Sequence, residues 1–163
     1  MDAIKLLKQQ HDNVDDLLGK IEKAQDLDRK QSLFEDMADQ LAAHAAIEET
    51  IFYPAVKDAG KQVHDLVMES VEEHLAIKRV LADLVELDVS DESFDAKLKV
   101  LQEEVEHHAR EEEEKELFPR VKKAIEADEL ERMGAEMLAL FEKLLSGEPR
   151  LAVADQTDHA SPV

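Results

Sequence analysis

The chain contains no cysteine and no tryptophan, and has only one tyrosine, four glycines and four prolines in 163 residues. Without thiols there is no disulfide, no thiolate metal site and no thiol nucleophile, so a bound metal must rest on nitrogen and oxygen ligands. Four glycines and four prolines are too few to supply the turns of an all-β fold. Aromatic residues make up 4% of the chain and hydrophobic residues 44%, so the core must be built from Leu, Val, Ile, Met and Ala. Long apolar runs are also missing. The first residues, Met1 to Leu7, turn polar before a signal sequence or membrane span could form, and the expectation is a soluble, cytoplasmic protein. Positive charge is scarce, with 20 Lys and Arg against 40 Asp and Glu and a net charge of -20. That field repels phosphate backbones and anionic lipid, which makes nucleic acid and membrane poor partners. It reads as a solvated helical surface.

Apolar residues recur at helical spacing almost throughout. Five segments follow, at about residues 3–24, 30–58, 61–87, 92–126 and 128–145. They are separated by the polar stretch 25–29, by Gly60 and by the loop 88–91, where Ser90 to Ser93 offer an N-cap. Gly147 and Pro149 close the last segment. Residues 147–163 have no helical period and are expected to be unstructured, leaving residues 1–146 as one domain. Four long helices with short connections imply an all-α fold, an antiparallel up-down four-helix bundle, with a shorter fifth C-terminal helix on its outside or across one end.

The histidines repeat. His11 is followed by His44, Glu48 and Phe52-Tyr53-Pro54. His74 is followed by His108, glutamates 111–114 and Leu117-Phe118-Pro119. The apolar frame repeats with them: Val14, Leu18 and Ile21 after His11 match Ile77, Leu81 and Leu84 after His74. Phe34, Met37 and Leu41 before His44 match Leu98, Leu101 and Val105 before His108. All four histidines therefore lie on core-facing stripes at equivalent places of a duplicated helical hairpin, and pseudo-two-fold symmetry follows. One histidine on an apolar stripe is usually a satisfied core residue. Four at equivalent places, with glutamates on the same stripes, are different. Burying them without compensation costs several kcal/mol per charged group, and two metal ions would remove that cost.

His44 and Glu48 are four residues apart, so they share one helix face, and the apolar pattern stays in phase through this second segment. The fourth segment slips: Leu117 and Val121 are offset by one residue from the stripe of Leu98, Leu101, Val105 and His108, and Pro119 lies one residue further from His108 than Pro54 does from His44. A π-bulge absorbs one inserted residue, and such bulges recur at functional sites. A bulge directly after His108 makes Glu113 the partner of Glu48, the favoured reading; a later bulge makes it Glu112. Glu111 and Glu114 read as solvated. Glu73 and His107 are expected to support the ligands from outside. His64, on the stripe of His74, is about 15 Å along the helix, too far to share the site.

This pattern, His11, His44-x3-Glu48, His74 and His108 with its glutamate run, each half ending in an aromatic residue before proline, resembles the hemerythrin-like family, also called the HHE cation-binding domain. The resemblance covers roughly residues 1–125. It implies a four-helix bundle around a non-haem di-iron centre, with Glu48 and Glu113 (or Glu112) bridging under an oxo or hydroxo bridge, and His11, His44, His74 and His108 as terminal ligands. The donor set also admits manganese or zinc. Oxygen-carrying hemerythrins place a five-residue step between the fourth-helix histidine and its carboxylate, as between His108 and Glu113. They also carry a second third-helix histidine where this chain has Lys78. The resemblance thus implies four such histidines rather than five, with Glu69, Glu73 or water as candidates for the position. The function expected is binding, sensing or turnover of dioxygen, peroxide or nitric oxide, including catalase-like turnover. The alternative is iron storage or a metal-dependent regulatory module without catalysis.

Overall fold

Asp2 starts the first helix by accepting the amide of Lys5 at 2.9 Å. Helix α1 then runs Ala3–Lys23 in the computed structural model, which describes residues 1–163. Asp26 does the same for α2 (Leu27–Ile47), accepting from the amide of Arg29 at 2.9 Å. The polar residues expected to form a loop are therefore the cap and first turn of α2, where carboxylates face the positive end of the helix dipole. A π-helical stretch, Glu48–Phe52, follows and leads into α3 (Tyr53–Val56). Gly60 turns the chain at a φ of 126°, a conformation that L side chains rarely adopt. Helix α4 (Lys61–Glu86) returns, and α5 (Phe94–Glu106) continues through a second π-helical stretch, His107–Leu117, into α6 (Phe118–Ala124). The four rods α1, α2–α3, α4 and α5–α6 form the antiparallel bundle.

The apolar stripes close into two core clusters. One gathers Leu7, Ile47, Phe52, Val67, Leu117 and Phe118. The other gathers Leu18, Phe34, Met37, Leu81, Phe94 and Leu101. The four stripe histidines fall between them in sequence on every rod, so the polar layer crosses the middle of the bundle. Helix α7 (Ala127–Leu145) packs on α1 and α2 and adds Leu130, Met133 and Met137 to the first cluster. Its Gly134 lies against the chain start: a Cβ there would be 2.8 Å from the amide nitrogen of Ala3, with the Met1 carbonyl closer still. Backbone cannot yield as a side-chain tip can. Gly134→Ala is therefore expected to cost about 1–3 kcal/mol, seen as a lower thermal midpoint.

The C-terminal segment differs from expectation. Residues Pro149–Gln156 form a 3₁₀ helix against α2 and α4. Val153 is 1% exposed within the second cluster, while Ala160 and Val163 pack on the first. Arg150 binds Asp39 through its backbone amide (3.0 Å) and its guanidinium (2.6 Å). Arg79 donates to the Thr157 carbonyl at 3.0 Å. Ser161 Oγ donates to Glu49 at 2.5 Å. The segment is thus a strap that passes the polar layer, held by isolated side chains. Periodicity, which registers a continuous buried face, carries no trace of it.

Candidate metal centre

His11 on α1, His44 on α2, His74 on α4 and the π-helical His108 are all buried, with Glu48 and Glu113 at 0% exposure. Glu48 Oε2 is 3.2 Å from His44 Nε2 and 3.2 Å from His74 Nε2. Glu113 Oε2 is 3.1 Å from His11 Nε2 and 3.7 Å from His108 Nε2. Each glutamate thus meets the histidine of its own rod and the first histidine of the other half, as pseudo-two-fold symmetry requires. The imidazoles pair in the same way: His11 with His44 at 5.0 Å between ring centroids, His74 with His108 at 4.6 Å. Two groups of convergent donor atoms result, His11–His44–Glu48–Glu113 and Glu48–His74–His108, with Glu48 in both.

Of the two glutamates left open by the sequence, it is Glu113 that enters this layer. Glu112 is 22% exposed and turns to His107 at 3.6 Å. The bulge begins at His107, ahead of His108. The second rod also contains a π turn, against the in-phase reading: the Tyr53 amide donates to the Glu48 carbonyl five residues back, as the Phe118 amide does to that of Glu113. The prolines explain both. Pro54 and Pro119 bring no amide hydrogen, and their rings would crowd the carbonyl four residues earlier in an α-helix. The wider turn just before each absorbs that conflict. The second stretch has eleven residues against five in the first, which accommodates the extra residue.

Each imidazole is also held from behind. With Nε2 turned into the layer, Nδ1 carries the proton and donates outward. His11 Nδ1 donates to Glu114 at 2.8 Å and His74 Nδ1 to Glu49 at 2.9 Å. His44 Nδ1 donates to Gln10 Oε1 at 2.7 Å and His108 Nδ1 to Glu73 at 2.9 Å. Glu73 has the supporting place expected of it; His107, more than half exposed, binds the other Glu73 oxygen at 3.1 Å. Glu114 corrects the solvated reading, since it faces His11 and Arg110. Gln10 and Glu49 were missed, although the repeat carried a signal: one supporter precedes each first histidine, and the other follows each site glutamate.

Lys78 is 6% exposed and pairs with Glu49 Oε2 at 2.7 Å. Glu73 does not fill the position beside it. The hydroxyl of Tyr53 instead reaches both His74 and His108, 3.2 Å and 3.4 Å from their Nε2 atoms, and donates to Glu113 Oε1 at 2.7 Å. In the other half Phe118 takes the equivalent place and stacks on His11. Nothing in the helical period distinguishes Tyr53 from a core aromatic residue.

Burial acts to lower the pKa of His11, but Glu113 and Glu114 outweigh it and raise it to about 9. Burial acts likewise on His74, and Glu48 and Glu49 raise it to about 9. Burial would raise Glu48, but His44 and His74 hold it well below the usual carboxylate range. Glu49 goes down to about 2 against the same burial cost, through His74, Lys78 and Ser161. Burial, with the charges of Glu113 and Glu48 second, keeps the Tyr53 phenol protonated well beyond its ordinary range.

Positive charge is what this layer asks for. His74 Nε2 and His108 Nε2 approach to 2.9 Å although each imidazole already spends its proton on a carboxylate. Two lone pairs at that distance need a cation or an extra proton between them. Glu48 Oε1 is buried without a hydrogen-bond partner, at a cost of about 1–3 kcal/mol or more for a charged group, and His11 Nε2 and Glu113 Oε2 have only each other, at 3.1 Å and without a well-formed hydrogen bond. Imidazole and carboxylate donors in two groups sharing a glutamate fit two first-row transition-metal ions.

The wider comparisons agree with this geometry. A crystal structure of a hemerythrin HHE cation binding domain-containing protein from Mycobacterium kansasii is similar with a TM-score of 0.78 and 26% identity, over 90% of this chain and 89% of that one. A DNA nickase from Nostoc sp. is 24% identical over 139 residues; the match takes in 85% of this chain but spans only 39% of the nickase. No helix is long and apolar enough to cross a membrane. Residues 2–121, which contain every histidine and glutamate of the layer, match the Hemerythrin HHE cation binding domain, and the chain belongs to that family.

Proposed function

We propose that the centre holds two iron ions and that the protein binds or turns over dioxygen, peroxide or nitric oxide there. One observation carries this reading: buried atoms without a formed hydrogen bond, His11 Nε2, Glu48 Oε1 and Glu113 Oε2, belong to two convergent donor groups that share Glu48. His11 and His44 would hold one ion, His74 and His108 the other, with Glu48 and Glu113 serving both. Iron in such a set supplies two oxidation states and a coordination position for a small ligand. The chain supplies the rest. Glu114, Gln10, Glu49 and Glu73 fix the tautomer and orientation of the four imidazoles. The two apolar clusters keep bulk water out. Tyr53 keeps a proton at the hydroxyl that it directs to Glu113.

A cavity of about 30 Å³ lies against all four imidazoles, with Val14, Leu41 and Val105 among its walls. The space exceeds what one water needs and gives room for a small ligand beside the imidazoles.

The test is metal quantitation of anaerobically purified protein, with optical spectra before and after oxygen, azide and peroxide. Two irons per chain and a spectrum that responds to these additions support the reading. Absence of iron, or a spectrum indifferent to all three, refutes it. Tyr53→Phe should keep both ions and, by removing the buried proton, slow peroxide turnover at least about tenfold. Unchanged turnover would leave Tyr53 as a packing residue.

A further inference from the structure

The two halves of the centre match in their histidines and glutamates but not in one supporter. Glu73 stands behind His108, and at the equivalent place behind His44 stands Gln10, a neutral amide. The difference has a chemical consequence. The Glu73 oxygens both accept, one from His108 and the other facing His107. Gln10 accepts from His44 with Oε1, and its Nε2 has no partner anywhere in the protein, although the residue is 4% exposed.

The amide cannot be turned to relieve this. With a metal ion on His44 Nε2, as proposed above, Nδ1 bears the proton and needs an acceptor, and Gln10 offers one only in Oε1. The amide hydrogens are therefore left unpaired, and Gln10 lines the 30 Å³ cavity beside the imidazoles. An unpaired buried donor costs about as much as a hydrogen bond is worth, unless a ligand arrives with an acceptor.

We infer that Gln10 Nε2 is the hydrogen-bond donor to the small ligand in this cavity, and that the ligand consequently sits on the His11–His44 side of the centre. The inference rests on the ligand-binding function proposed above and adds which half of the centre receives the ligand and what recognises it. The ligand class is a species of two or three heavy atoms with an accepting lone pair, such as dioxygen, peroxide, nitric oxide or azide. Lys78, which lines the same cavity, is already engaged by Glu49. Gln156, also in the lining, is exposed to solvent, so the buried unengaged amide is that of Gln10.

The discriminating variant is Gln10→Glu, which keeps an acceptor for His44 and reproduces the Glu73 arrangement but removes the amide donor. Gln10→Met removes donor and acceptor together. Iron content is measured for wild type and both variants, and then azide and nitric oxide are titrated optically. Nitric oxide, being uncharged, separates loss of the donor from repulsion by the new carboxylate. The expected result is two irons in Gln10→Glu, azide affinity down by more than tenfold and nitric oxide affinity down by about five- to tenfold. Nitric oxide affinity within twofold of wild type would overturn the inference. So would iron loss in Gln10→Glu as large as in Gln10→Met, which would make Gln10 an anchor for His44 only. Iron-loaded wild type that binds neither probe would instead refute the ligand-binding function, and the inference with it.

Discussion

Glu113→Ala is expected to strip the centre of iron, from two ions per chain to a residual trace, while Glu112→Ala keeps both. The two residues are neighbours in a run of four glutamates, and a chain-wide charge effect could not tell them apart. Geometry does. Glu113 lies at 0% exposure with Oε2 3.1 Å from His11 and 3.7 Å from His108, and takes the Tyr53 hydroxyl on Oε1. Glu112 faces His107 at the surface. Loss of even an outer partner of a metal ligand typically costs 10–100-fold in affinity. A carboxylate set between His11 of one half and His108 of the other should cost at least about that for each ion, so the two ions leave together. Glu48→Ala should behave in the same way, because Glu48 is its symmetry mate. Metal analysis after gel filtration reads the outcome. Glu112→Ala losing an ion while Glu113→Ala keeps both would place the bulge elsewhere.

The second large effect concerns pH. In protein freed of metal by chelation, protons take over the compensating role. His11 and His74 are raised from 6.5 to about 9. A raised folded-state pKa contributes stability that is complete below 6.5 and is lost as pH rises through 9. The loss is on the order of 3 kcal/mol per histidine, a large share of a domain's stability. The carboxylates act in the opposite direction. Glu49, lowered from 4.5 to about 2, contributes stability that is present above 4.5 and is lost as pH falls through 2. Glu48 is depressed as well. Metal-free protein should therefore be most stable between about pH 4.5 and 6.5, and its denaturation midpoint should fall steeply towards pH 9. With iron bound, the ions replace those protons, so the alkaline decline should vanish and iron uptake should tighten over the same interval. Chemical denaturation at pH 6 and pH 9, with and without metal, measures both. A metal-free midpoint that does not change between these values would contradict the assignment of protons to His11 and His74.

Much of this was legible in the residue order. Apolar residues at helical spacing specify the rods, because a helix sets its own period through bonds four residues apart. The four histidines keep phase with the apolar stripes, which put them in the core before any neighbour was known. The matched frames around His11 and His74, and around His44 and His108, made the symmetry visible, and the slip before Pro119 pointed to Glu113 over Glu112.

Other features needed the folded molecule. The π turn after Glu48 escaped a phase analysis because the apolar pattern in that rod is unbroken; Pro54 was its one local sign. The 3₁₀ strap has no continuous buried face: Arg150 finds Asp39 on α2, Val153 enters the second cluster, and Ser161 beyond it reaches Glu49 in the first π-helical stretch. Tyr53 reads as one more core aromatic until the rods set its hydroxyl beside His74, His108 and Glu113. The same holds for Gln10 behind His44, Glu114 behind His11 and Lys78 on Glu49. A backbone hydrogen bond within a helix depends on neighbours a turn away, so a one-dimensional pattern can specify it. A polar side chain finds its partner across the bundle, from residues up to 112 positions distant, and that pairing follows from how the helices rotate and cross, which no local period encodes.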